Sequence, residues 1–89
     1  MRQKRVYTIF MNPESKLLNE FIIMTDTTDG QVARRLGVNV GTVRAWRTGK
    51  YRTKFWRLNL IARRLADSDP VMAELCRQMA EALREEQNG

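Results

Sequence analysis

A glycine at position 37, four residues after the small Ala33, limits what this chain can fold into more than any other feature. Val32 and Leu36 precede it, and Val38, Val43 and Trp46 follow it. Two short helices that cross closely need a small residue at the crossing. Between them they need a residue that takes positive φ without the steric penalty of a Cβ. Buried aliphatic and aromatic side chains on both sides of the turn then set the angle. The pattern predicts a helix-turn-helix over about 28–48. Thr28 or Thr27 caps its first helix, and Asp29 lies near that helix's positive end. Asn39 caps the second helix, which runs to about Thr48 and stops at Gly49.

Charge gives this segment a partner. The formal net charge is +6, but it is unevenly placed. From Gly30 to Ala66 there is no Asp or Glu, while the same stretch holds Arg34, Arg35, Arg44, Arg47, Lys50, Arg52, Lys54, Arg57, Arg63 and Arg64. From Asp67 onward the sign reverses, with six acids against Arg77 and Arg84. A solvated helix face normally mixes signs, and an acid-free run repels itself unless an anion sits nearby. Nucleic acid is the usual partner for such a footprint. An αα-hairpin with no nucleic-acid role accounts for the glycine and the apolar spacing, but not for the missing acids.

The rest of the chain reads as further helices. Asn12-Pro13 starts one that buries Leu17, Leu18, Phe21, Ile22 and Met24 along a stripe and ends near Thr25-Asp26-Thr27. Thr53 is expected to cap a fourth, in which Phe55, Leu58, Ile61, Ala62 and Leu65 keep helical spacing. Asp69 caps and Pro70 opens a fifth, with a wide stripe of Val71, Met72, Leu75, Cys76, Met79, Ala82 and Leu83. Residues 1–11 carry Arg2, Lys4 and Arg5 and read as a basic arm. Residues 12–66 form the DNA-binding unit, and 67–89 an oligomerisation helix and tail. The expected class is all-α: a helix-turn-helix domain with an added C-terminal oligomerisation helix.

A helix-turn-helix places its second helix in the major groove, with that helix's first residues at the base edges. The candidates are Asn39, Val40, Gly41 and Thr42, then Arg44, Ala45 and Arg47. Arg44 suits guanine O6 and N7, Asn39 suits adenine, Val40 a thymine methyl, and Thr42 either kind of edge. Lys50, Arg52 and Lys54 follow and suit phosphates, which position without specifying. Trp46, at its spacing from Val43, belongs to the core. Tyr51 can bond a phosphate, and Trp56 can pack in a subunit contact. The stripe of Val71, Met72, Leu75, Cys76, Met79 and Leu83 is wide for a terminal helix, so a second subunit is expected to cover it. A chain of 89 residues buries little core by itself, which also favours oligomerisation.

Other functions lack their residues. With no histidine, no metal-ligand cluster, no glycine-rich phosphate loop and no triad, an enzyme is not expected, nor is a cofactor or metal. Cys76 is the only cysteine, so the chain holds no internal disulfide, which fits a reducing cytoplasm. No apolar run approaches the roughly 20 residues that span a bilayer, and 1–11 does not read as a signal peptide.

From about Glu14 to Leu83 the chain resembles the CII transcriptional activators of temperate lambdoid phages. The shared pieces are Glu14-Ser15-Lys16-Leu17-Leu18-Asn19, Gly37-Val38 at the turn, Trp46, Lys54-Phe55, the acidic break at Asp67 to Asp69, and a last helix with Met72, Ala73, Leu75, Arg77 and Gln78. The resemblance implies a homotetramer, a dimer of dimers joined largely through the last helix. It implies double-stranded DNA as ligand, read as two direct repeats about one turn apart over a promoter's −35 region. It implies activation of host RNA polymerase in a bacterial cytoplasm, favouring lysogeny. The chain departs from the family at the helix tip, where Val40, Gly41 and Ala45 replace charged and polar residues. A Cro-type repressor or an autoregulatory antitoxin would use the same motif as a two-fold dimer on a palindrome. A small terminase-type packaging protein would use it in a ring.

Overall fold

The computed structural model describes residues 12–88, with side chains as far as Glu86. The basic arm expected over 1–11 lies outside the described residues. Five helices follow one another: α1 (Pro13–Thr25), α2 (Asp29–Leu36), α3 (Val40–Thr48), α4 (Phe55–Leu65) and α5 (Pro70–Asn88). Among the described residues there is no strand, so the all-α class holds. No helix among them is long and apolar enough to cross a membrane.

Local chemistry explains most of the boundaries. Pro13 opens α1, where its missing N–H leaves no unsatisfied donor, and Asn12 supplies the backbone carbonyl but no side-chain cap. Asp26 ends α1 at φ 54°, with its N–H turned back on the carbonyls of Ile22 and Ile23. Thr28 caps α2 in a reciprocal box: its hydroxyl accepts from Gln31 N, and the Gln31 side chain accepts from Thr28 N. Gly37 closes α2 at φ 76°. A Cβ there would meet nothing within 4 Å, so the backbone conformation, not space, asks for glycine. The cap of α4 differs from expectation. Lys54 holds that position, while Thr53 lies one residue outside and is buried. Asp69 does cap α5, accepting from Met72 N at 3.4 Å.

The core runs through the middle of the chain. Leu18, Val32, Val43, Leu58, Met72, Cys76 and Met79 are fully buried, and Leu36, Trp46 and Ile61 nearly so. α5 lies against α4 and α1, and α3 against α2 and α1. Two expectations need correction. On α1, Leu17, Phe21 and Ile22 are only half-buried and Met24 is 82% exposed, whereas Glu14 and Ser15 are buried. On α5, the stripe assigned to a subunit contact is covered by the chain itself. Met72, Leu75, Cys76, Met79 and Leu83 are buried within one protomer, and only Val71, at 57% exposure, stands outside. The cover comes from α1 and α4, the helices that pack against α5. Burial also pushes the Cys76 thiol up to about 11, so it behaves as a small apolar side chain.

Two ion pairs tie distant segments. Arg35 on α2 forks onto both oxygens of Asp69 at the head of α5, at 2.9 Å each. That contact, chiefly its hydrogen bonds, holds the Asp69 carboxyl below its ordinary range. Arg52 reaches the buried Glu14 at 2.8 and 3.1 Å and also pairs with Glu86. Its hydrogen bonds to Glu14, above all, raise the guanidinium pKa further.

Candidate nucleic-acid interface

α3 is held from behind. Its inner side sinks Val43 and Trp46 into the core. The last carbonyls of any helix lack partners within it, and here α1 provides donors to two of them. Ser15 Oγ donates to the Trp46 carbonyl. Asn19 Nδ2 donates to the Arg47 carbonyl at 2.8 Å, and Arg47 Nη1 returns a bond to Asn19 Oδ1 at 3.1 Å. Thr48 Oγ1 donates to the Arg44 carbonyl at 3.0 Å. These bonds explain why α1 buries polar residues: Ser15 and Asn19 fix the height and rotation of α3.

The opposite side of α3 faces outward. Asn39, Val40, Gly41 and Arg44 are exposed, with Thr42 and Ala45 half-buried beside them. The Asn39 side chain makes no cap bond, so capping does not occupy it. No acid lies in the first turn of α3. Gly41 has open space where a Cβ would be, so the chain's own packing does not call for glycine there. The result is bare backbone on the exposed first turn of the helix.

Two grooves border this face. One, of about 620 Å³, lies between the first turns of α3 and α4 and is lined by Asn39, Gly41, Thr42, Ala45, Arg52 and Lys54 among others. The other, of about 340 Å³, is bounded by Gly41, Arg44, Ala45, Thr48, Lys50 and Tyr51. Eight of the ten predicted DNA-binding residues therefore share one surface. Val40 and Arg47 line neither groove.

The basic residues divide by what they touch. Arg44 is 61% exposed and only loosely paired, 3.4 Å from Asp29. Arg47 is held by Asp29 at 2.9 Å and by Asn19. Arg52 is committed to Glu14 and Glu86. Arg47 and Arg52 thus brace α3 and the loop after it within the chain. A buried Glu14 needs a cation, and Arg52 supplies it. Lys50 and Lys54 are exposed, and Lys50 lies over the Tyr51 ring, 5.7 Å from its centroid.

The surface also includes residues outside the ten predicted DNA-binding positions. Trp56 is 62% exposed and Tyr51 63% exposed, both on the larger groove. Arg57 is held over the Trp46 ring, 5.4 Å from its centroid, on the same wall. Thr53 lines it too. One sign was readable: Trp56 lies off the helical stripe on which Leu58, Ile61 and Ala62 are buried. Comparison with protein families, with curated proteins and with solved structures finds no match for the chain.

Proposed function

We propose that this chain is a sequence-specific DNA-binding regulator of transcription. α2 and α3 act as its helix-turn-helix, and α3 is the helix that enters the major groove. One observation carries the reading. The exposed face of α3 is acid-free, bare at Gly41 and flanked by Lys50 and Lys54, while its other face is bonded to α1. A reading helix needs both properties: a fixed position, and an outer face open to base edges. Arg44, Asn39 and Thr42 supply the base contacts. Lys50 and Lys54 supply phosphate contacts, which raise affinity for any sequence.

The resemblance to phage CII activators extends the proposal to promoter activation from direct repeats by a homotetramer. The buried stripe of α5 does not support the contact assigned to it. An oligomer of this fold would meet through what stays apolar and exposed on the α1–α5 groove: Met24 and Val71. Light scattering of the free protein measures the mass. Selection from random duplex DNA tests the function. Recovery of a common sequence, arranged as direct repeats about one turn apart, supports the activator. A palindrome points to the Cro-type repressor, and recovery of no common sequence removes the regulator reading.

A further inference from the structure

Thr53, one of the residues lining the larger groove, carries a hydroxyl that the fold leaves unsatisfied among the described residues. Thr53 is 94% buried, yet its Oγ1 has no hydrogen-bond partner among the described residues. A buried hydroxyl without a partner is unfavourable, and its presence needs a reason. Thr53 lines the groove immediately before α4. The N–H groups of Phe55 and Trp56 open that helix and have no carbonyl behind them. Lys54 is the N-cap but offers no acceptor from its side chain, and no acid lies in the first turn. Lys54 and Arg57 stand on the same wall. Unsatisfied donors, a positive helix end and two cations converge in a groove whose lining residues include no acid.

We propose that the groove between α3 and α4 holds a phosphate group at the start of α4, with Thr53 Oγ1 and the amides of Phe55 and Trp56 as donors and Lys54 and Arg57 as counter-charges. A helix N-terminus favours an anion through its aligned dipoles and free amides. The hydroxyl adds a third donor, and its burial gives the site a floor. The nearest source of phosphate is the backbone of the strand whose bases face α3, since both helices border the same groove. In that form the inference rests on the DNA-binding reading. Free phosphate is the second source of the same chemistry.

Amide NMR of the full chain separates the two. Inorganic phosphate is titrated first, then a duplex of about 20 base pairs. The expected result is that phosphate shifts the Phe55 and Trp56 amides saturably. Thr53→Val should raise the phosphate dissociation constant about three- to tenfold, the scale of one net hydrogen bond. It should leave the thermal midpoint unchanged or higher, because an unpartnered hydroxyl is removed. The same variant should weaken duplex binding to a similar degree on all sequences. Unmoved Phe55 and Trp56 amides in both titrations overturn the site, even if the duplex binds elsewhere. A lower midpoint with unchanged phosphate affinity also overturns it, because the hydroxyl is then structural. Phosphate binding at these amides with no duplex binding upholds the site for free phosphate and overturns the DNA reading.

Discussion

α3 and α5 are both amphipathic, but the chain treats them in opposite ways. α5 is the longest helix and has the widest apolar stripe, and α1 and α4 cover that stripe completely enough to bury Met72, Cys76 and Met79. α3 has only nine residues and buries two of them, Val43 and Trp46. The remainder faces solvent and two grooves. An apolar stripe states that a helix needs cover, but it does not name the cover. The charges differ in the same way. Around the core, Arg35 and Arg52 are each forked onto a carboxylate. Beside α3, Lys50 and Lys54 stay exposed, and Arg44 is held only loosely.

The largest effects should appear on the core side of this contrast. Met79→Ala removes a fully buried side chain and should destabilise by about 2–5 kcal/mol in denaturant unfolding. Val71→Ala, on the same helix but exposed, should stay within about 0.5 kcal/mol. Equal losses would show that Val71 is covered in solution by a second chain. Arg52→Ala leaves Glu14, 1% exposed, without its cation and should cost about 3 kcal/mol by the same measurement. If the variant keeps its stability and loses DNA affinity instead, Arg52 belongs to the interface after all.

Acid titration gives a smaller effect. Arg35 lowers the Asp69 pKa, so the native state binds that proton less readily than the unfolded chain. The stabilisation is present above the unfolded value of about 3.9 and fades as pH falls through the lowered native value. Asp69→Asn keeps a capping side chain and should cost about 1 kcal/mol from pH 7 to about 5. The gap from wild type should shrink below about pH 4. A gap that persists at pH 2 would mean that the pair contributes little through charge. The smallest stability effect belongs to α3. Gly41→Ala should leave stability unchanged or raise it by up to about 1 kcal/mol, since alanine favours helix and its Cβ meets nothing. Its DNA affinity should fall at the same time, measured by fluorescence anisotropy on the selected duplex.

The legible parts of the fold were those controlled by short-range chemistry. Thr28, Gly37, Asn39 and Gly49 bound α2 and α3 where their backbone preferences predict, and Val32, Val43 and Trp46 turn inward at helical spacing. Long-range pairing was not legible. Glu14 shares the inner side of α1 with Leu18 one turn later, but its burial depends on Arg52, thirty-eight residues away. Nothing local marks Arg47 as bound to Asp29 and Asn19 while Arg44 stays exposed. At the candidate interface, residue types point to the surface, and tertiary contacts decide which cations are paired within the chain.

The most direct test compares Arg44→Ala and Lys54→Ala with wild type on the selected duplex and on a panel carrying each single base-pair change. If α3 reads base edges, Arg44→Ala loses about 1–3 kcal/mol on the selected duplex and loses preference at one position. Lys54→Ala should weaken every duplex alike and lower the salt slope by about one. Equal, sequence-independent losses for both variants would contradict the account and leave α3 as part of a basic surface that reads no sequence.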